Sequence, residues 1–202
     1  MGRFAQPRPR CRRCAIAVAQ GVAECGRCIA EPPPLDACHA ALPYEYPWSG
    51  LVAEYKFGGR PGWAVSLATL MRSAPWVEPA LEEADLVLPM PLSRERLAER
   101  GFNQALVLAR ALAPAKAGPG LLLRIRHTQA QSELDRKARL KNVRGAFAVE
   151  PLRHAAVRGK QVVLVDDVMT SGASLFAAAQ ALREAGAARV TGLVLARTDE
   201  AH

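Results

Sequence analysis

The sequence predicts an α/β domain, a parallel sheet with flanking helices, preceded by a small N-terminal knuckle that carries most of the cysteines. Three observations lead there. Val162-Val163-Leu164-Val165 is a continuous β-branched-rich run, the pattern of a strand buried on both faces. Runs of strand length alternate with segments of helical period after residue 40, the order that builds parallel sheets. Four of the five cysteines fall within residues 1–30, where no periodic apolar pattern supplies a core.

Residues 1–40 are expected to form the knuckle and a stiff linker through Pro32-Pro33-Pro34, and residues 41–202 the sheet domain. Leu51, Val52, Tyr55 and Phe57 mark a short helix, interrupted by Gly58-Gly59-Arg60-Pro61-Gly62. Ala64 to Met71 reads as a second helix. Asp85 to Leu88 is a short strand stopped by Pro89-Met90-Pro91, whose rigid turn can expose amides to an anion and whose Met90–Pro91 bond is a candidate cis bond. Asn103 is expected to cap a helix running to Leu112. Leu121 to Ile125 reads as a strand. Residues 127–145 form a long, charged stretch of low periodicity, expected to be a flap over a reacting centre. The run at 162–165 precedes a helix from Gly172 to Ala185 that stops at Gly186. Val190 to Leu195 is the last strand.

The formal charge is +8, unevenly spread. Met1 to Cys28 holds Arg3, Arg8, Arg10, Arg12, Arg13 and Arg27 against Glu24 alone. A second basic region runs from Leu121 to Lys160. Such a balance suits phosphate ligands or nucleic acid, and weak, salt-sensitive binding of single-stranded DNA is expected through the N-terminus and residues 136–144. The few aromatic residues argue against a binder built on base stacking. No apolar run reaches the ~18 residues of a membrane span, and no signal peptide is visible, so the cytoplasm is the expected location.

Cys11-x2-Cys14 and Cys25-x2-Cys28 are two CxxC pairs ten residues apart. In a reducing compartment such pairs are metal ligands rather than disulfides. Four thiolates complete the tetrahedron that zinc prefers, so a structural Zn²⁺ is expected on Cys11, Cys14, Cys25 and Cys28. Cys38 is then a small buried apolar residue. His127, His154 and His202 show no partner pattern and are expected on the surface.

The most specific stretch is Val162 to Ser174. A buried strand ends in two adjacent carboxylates, Asp166 and Asp167. A small-residue turn follows and a helix begins. The free amides at that helix N-terminus, with the hydroxyls of Thr170, Ser171 and Ser174 and the small residues Gly172 and Ala173, form a cradle for a phosphate. Carboxylates at the C-terminal end of a strand can accept hydrogen bonds from vicinal hydroxyls. A sugar phosphate satisfies both halves. Arg94, Arg96 and Arg100 cluster near the Pro89–Pro91 turn and suit a diphosphate.

This stretch resembles the phosphoribosyl-diphosphate motif of type I phosphoribosyltransferases. The wider pattern resembles the ComF family: Lys56-Phe57-Gly58-Gly59; Leu88-Pro89-Met90-Pro91-Leu92; Arg96-x3-Arg100-Gly101-Phe102-Asn103-Gln104; Thr128-x2-Gln131-x2-Leu134; and Arg139-x2-Asn142-Val143-Arg144-Gly145-Ala146-Phe147. The two CxxC pairs belong to the same pattern, which spans about residues 11–197. Met90 stands where Val is usual, and Val165 where several relatives carry an acidic residue nearby. The resemblance implies a type I phosphoribosyltransferase-like parallel sheet preceded by a zinc knuckle. It implies that Asp166 and Asp167 hold ribose hydroxyls and act in catalysis. Thr170 to Ser174 would hold the 5′-phosphate; Pro89, Met90, Pro91, Arg96, Arg100 and Lys56 would surround the diphosphate and its Mg²⁺. The implied reaction is transfer of a phosphoribosyl group from phosphoribosyl diphosphate, and the implied setting is DNA uptake in competence. The alternative expectation is a non-catalytic module that senses a nucleotide or phosphosugar and binds single-stranded DNA or competence-machinery proteins.

Overall fold

The computed structural model describes residues 7–126 and 143–199. In chain order the elements are helix α1 (Gly26–Ala30), strand β1 (Ala37–Pro43), helices α2 (Trp48–Phe57), α3 (Trp63–Arg72) and α4 (Val77–Glu83), and strand β2 (Leu86–Pro89). Helices α5 (Arg94–Arg100) and α6 (Gln104–Leu112), strands β3 (Leu122–Arg124) and β4 (Phe147–Val149), and a 3-10 turn at Pro151–Ala156 follow. Strand β5 (Gln161–Met169), helix α7 (Ala173–Glu184) and strand β6 (Arg189–Arg197) complete the fold.

The main sheet has the order β1-β6-β5-β2, and every neighbouring pair is parallel. The expected run at 162–165 lies inside β5, where alternate residues serve opposite faces. Val162 and Leu164 join the apolar cluster under α7, and Val163 and Val165 join the one under α3 and α6. A strand covered on both sides has no polar face to display, which is why it reads as one continuous apolar run. Strands β3 and β4 pair antiparallel as a separate two-stranded ribbon. The expected strand at 121–125 is therefore present but outside the main sheet.

Strand β1 is not marked by the sequence. It is a seven-residue edge strand ending in proline, and although Cys38, Ala40 and Leu42 alternate inward, alanines on both faces blur the period in the sequence. It crosses position 40, the expected boundary. The cysteine segment packs directly on it: Cys38 N donates to Arg12 O at 2.7 Å. Cys11, Cys14 and Cys28 are buried in the same apolar cluster as α7 and one face of β5. Among the described residues no helix is long and apolar enough to cross a membrane.

Candidate functional site

The C-terminal ends of β2 and β5 open into a cavity of about 160 Å³. Asp166 and Asp167 line it from β5, and Thr170, Gly172, Ala173 and Ser174 from the turn into α7. Met90, Pro91 and Leu92 face them from the end of β2, with Arg96 and Arg100 of α5, Arg124 of β3 and Lys56 of α2 closing the sides. Ligands of open parallel sheets bind at such strand ends.

Local contacts explain why these side chains meet. Met90 N donates to Val165 O at 2.9 Å, so the segment after β2 stays beside β5. Ser93 Oγ accepts from Arg96 N and starts α5, and Asn103 Oδ1 accepts from Leu106 N and starts α6. Asn103 Nδ2 also donates to Met90 O at 3.0 Å, tying the cap of α6 to the proline turn. Lys56 is delivered by the end of α2: Tyr55 Oη donates to Gln104 O at 2.8 Å, and Gln104 Nε2 donates to Lys56 O at 3.1 Å. Arg100 lies 5.3 Å over the Phe57 ring and donates to Gln104 Oε1.

Charge in the cavity is unevenly satisfied. Lys56 Nζ lies 3.3 Å from Asp167 Oδ1 and 3.2 Å from Oδ2, but only the first contact has hydrogen-bond geometry, leaving Oδ2 buried without a donor. Burial and the adjacent Asp167 push Asp166 up to about 7, against the pull of Lys56. Burial also pushes Arg100 and Arg124 downward, so each holds its charge at a cost that a bound anion would relieve. The cavity thus offers both carboxylate acceptors, from Asp166 and Asp167, and cationic donors, from Lys56, Arg96, Arg100 and Arg124.

Most of the residues singled out in the sequence line this cavity. Two do not. Pro89 is buried as the last residue of β2. Ser171 lines a neighbouring cavity of about 190 Å³, shared with Cys14, Cys28, Phe176 and Arg197. Among the described residues the cis peptide is Tyr46–Pro47, so Met90–Pro91 is trans. Arg94 starts α5 but does not line the cavity. Arg124 does, and sequence reasoning missed it; its only signal was a basic residue closing a short strand. Of the expected flap, residues 127–142 lie outside the described residues, as does most of the second expected nucleic-acid segment.

The first expected nucleic-acid segment is altered by its partners. Arg8 pairs with Glu45, Arg10 Nη1 lies 2.8 Å from Asp199 Oδ1, and Arg12 and Arg13 share Glu24. Four described arginines of the N-terminal basic run, Arg8, Arg10, Arg12 and Arg13, thus each face one of the chain's own carboxylates.

The cysteines form the group of metal-capable side chains found among the described residues. The Sγ atoms of Cys11, Cys14, Cys25 and Cys28 all lie within 4.8 Å of one another. Cys14 Sγ and Cys25 Sγ are 3.8 Å apart, close to the ~3.8 Å edge of a tetrahedron with Zn–S near 2.3 Å. All are free thiols, and Cys38 is buried outside the group. Burial and neighbouring thiols push Cys14 up to about 11 and Cys28 further in the same direction. Four thiols this close cannot ionise together without a cation, and they can hold a zinc ion.

Comparison with known proteins agrees with this architecture. Residues 100–201 match the phosphoribosyl transferase domain family. The chain is 33% identical over 194 residues to DNA utilization protein YhgH of Salmonella typhimurium, covering 93% of this chain and 84% of the relative. It is 30% identical over 197 residues to competence protein F of Haemophilus influenzae, covering 94% and 85%. Among solved structures, glutamine phosphoribosylpyrophosphate amidotransferase of B. subtilis matches with a TM-score of 0.46 and 23% identity, over 71% of this chain and 30% of that one. With a parallel sheet of this type, a four-cysteine cluster near the N-terminus and relatives aligned over nearly its whole length, the chain belongs to the competence protein F family of phosphoribosyl transferase domains.

Proposed function

We propose that the chain binds 5-phosphoribosyl diphosphate, or a closely related phosphosugar, in the cavity between β2, β5 and α7. One observation carries this reading: two carboxylates, a helix N-terminus and three arginines converge on one cavity. The amides of Thr170 to Ser174 at the start of α7 take the 5′-phosphate. Asp166 and Asp167 accept from the ribose hydroxyls, and the donorless Oδ2 of Asp167 supports that role. Arg96, Arg100 and Arg124 hold the diphosphate, beside the Met90–Pro91 turn.

The reaction class this supports is phosphoribosyl transfer, in which the bond from the ribose anomeric carbon to diphosphate breaks and one to an acceptor forms. The residues of the cavity contribute by orienting the sugar and by stabilising the departing diphosphate. In the same proposal Asp166 and Asp167 would help hold a Mg²⁺ brought by the diphosphate, which would supply charge neutralisation for the leaving group. The protein works in the cytoplasm, where the four thiols stay reduced and hold Zn²⁺.

A second reading, a module that binds single-stranded DNA or a partner protein, draws on relatives named for DNA utilization and competence. The internal pairing of Arg8, Arg10, Arg12 and Arg13 speaks against the N-terminus as its contact surface.

Calorimetry with phosphoribosyl diphosphate and Mg²⁺ tests the first reading. Binding to the wild type is expected, weakened about ten- to a hundredfold by Asp167→Asn, in line with the loss of a charge-assisted hydrogen bond. No heat and no thermal shift at millimolar ligand would overturn it.

A further inference from the structure

We propose that Arg197 couples the four-cysteine site to the phosphate loop, so that filling the cysteine site sets the shape of Thr170–Ser174. Arg197 ends β6 and is 3% exposed. Its Nε donates to Cys14 O at 3.0 Å. Its Nη1 donates to Met169 O at 3.3 Å, and to Thr198 O and Oγ1. One guanidinium therefore spans from the turn of the first CxxC pair to the last residue of β5. Beside it lies the cavity of about 190 Å³ that separates Cys14 and Cys28 from Ser171 and Phe176. Arg197 is a strut along that gap.

Met169 is the receiving end. Its carbonyl accepts from Arg197 and also from Thr198 N at 3.1 Å. Its Sδ lies 3.7 Å from Cys38 Sγ, and its methyl group sits where a Cβ on Gly172 would fall, 2.5 Å away. Residue 169 is thus clamped from three sides immediately before the loop that turns into α7. A shift of its carbonyl moves the root of the phosphate loop.

The charge arithmetic assigns the direction of the coupling. All the named acceptors of Arg197 are neutral oxygens, and the carboxylate that acts on it, Asp199, is shared with Arg10, so its buried charge is costly. Four thiolates around one Zn²⁺ leave a formal charge of about −2, placed next to Cys14 O. A filled cysteine site supplies the negative field that holds Arg197 in place. An emptied one lacks that field, leaves Asp199, already paired with Arg10, as the carboxylate acting on Arg197, and loosens the strut. Residues around a metal site that orient its ligands tune it in return, so the effect is reciprocal.

The experiment uses the full chain in four forms: as purified with zinc, stripped by a chelator, Arg197→Gln and Arg197→Lys. Hydrogen exchange is followed at Thr170–Leu175 and, as a reference, at α6 (Gln104–Leu112), which carries none of the Arg197 contacts. Arg197→Gln and the stripped chain are expected to exchange about tenfold faster at Thr170–Leu175, with α6 unchanged. Zinc affinity of Arg197→Gln, measured by competition with a chromophoric chelator, is expected to fall about tenfold or more. Arg197→Lys, which keeps the charge but cannot bridge both carbonyls, falls between. Equal exchange and equal zinc affinity in wild type and Arg197→Gln overturn the coupling. Should Arg197→Gln loosen α6 as well, Arg197→Lys decides: loosening confined to Thr170–Leu175 sustains the proposal, and none overturns it.

This inference rests on the phosphosugar reading for one further arm. Phosphoribosyl diphosphate should bind Arg197→Gln about tenfold more weakly than wild type. Failure of the wild type to bind it removes that reading, while the exchange and zinc arms still test the strut.

Discussion

Asp166 holds the most perturbed carboxylate of the cavity, pushed up to about 7 by burial and by Asp167. Its unfolded value is near 3.9. Between those values the folded chain binds more protons than the unfolded one, so this group makes stability fall as pH rises from about 4 to about 7. The carboxylates of Asp36, Asp85 and Glu24 run the other way, since their pKa values are lowered. The comparison of wild type with Asp166→Asn isolates the term. Asp166→Asn should be more stable than wild type at pH 8, by about 1–2 kcal/mol, with the advantage gone near pH 4. Thermal melts across that range check it; an advantage independent of pH excludes like-charge repulsion as its source. Gly172 is the second residue-scale case. Its φ is +83°, and a Cβ there would lie 2.5 Å from Met169 Cε and 2.7 Å from Phe176 Cζ. Gly186 has φ +88°, but its Cβ would meet nothing closer than Arg158 Cγ at 3.3 Å. Gly172→Ala is expected to cost about 2–4 kcal/mol, from backbone strain plus overpacking, and Gly186→Ala about 1–2 kcal/mol from strain alone. Equal costs in denaturant titrations would show that the crowding at Gly172 relaxes. The sequence marked Gly172 for close approach of a phosphate; the structure adds a reason it did not contain, the side chains beneath it.

At the scale of elements, Asn103 joins two parts of the site that are far apart in the chain. Its cap of α6 was legible, because a helix start after a polar residue is a local pattern. Its bond to Met90 O was not, since nothing in the spacing of residues 90 and 103 reports a cross-turn contact. The two roles separate by mutation. Asn103→Ala loses both and should cost about 1–2 kcal/mol of stability. Asn103→Asp keeps an acceptor for Leu106 N but loses the donor to Met90 O, and sets a carboxylate against that carbonyl. It should retain most of the cap, while binding of phosphoribosyl diphosphate, on the proposed reading, weakens about tenfold as the proline turn shifts. Equal ligand affinity in Asn103→Asp and wild type would limit Asn103 to capping. Strand β5 and helix α7 were similarly open to reading, as Val162 to Val165 of one is an uninterrupted apolar run and the other ends near a glycine. Strand β1 was hidden because a short edge strand ending in proline looks like linker.

At the scale of the whole molecule, the sequence marked the parts of the site and the fold brought in what it could not mark. Lys56, Arg96 and Arg100 were singled out by motif, and Arg124 was absent from every motif; only the folding of β3 against β4 carries it to the cavity. The cysteine pairs were equally plain, but their relation to the sheet was not. The knuckle was expected as a separate unit ahead of residue 41. Cys11, Cys14 and Cys28 share an apolar cluster with Met169, Ala173 and Leu175, Arg12 O accepts from Cys38 N of β1, and Arg10 reaches Asp199 beyond β6. A unit tied at so many points should unfold with the sheet. Structural zinc contributes on the order of 10 kcal/mol or more of binding free energy to small cysteine sites, so its removal should act on the entire fold. Calorimetry of the chelated chain is expected to show one transition at a clearly lower temperature than the zinc-loaded chain. Cys25→Ser should reproduce most of that shift without chelator. A main transition at unchanged temperature, with a separate small one below it, would mean that the knuckle folds as an independent domain and that its contacts with β1 and α7 carry little energy.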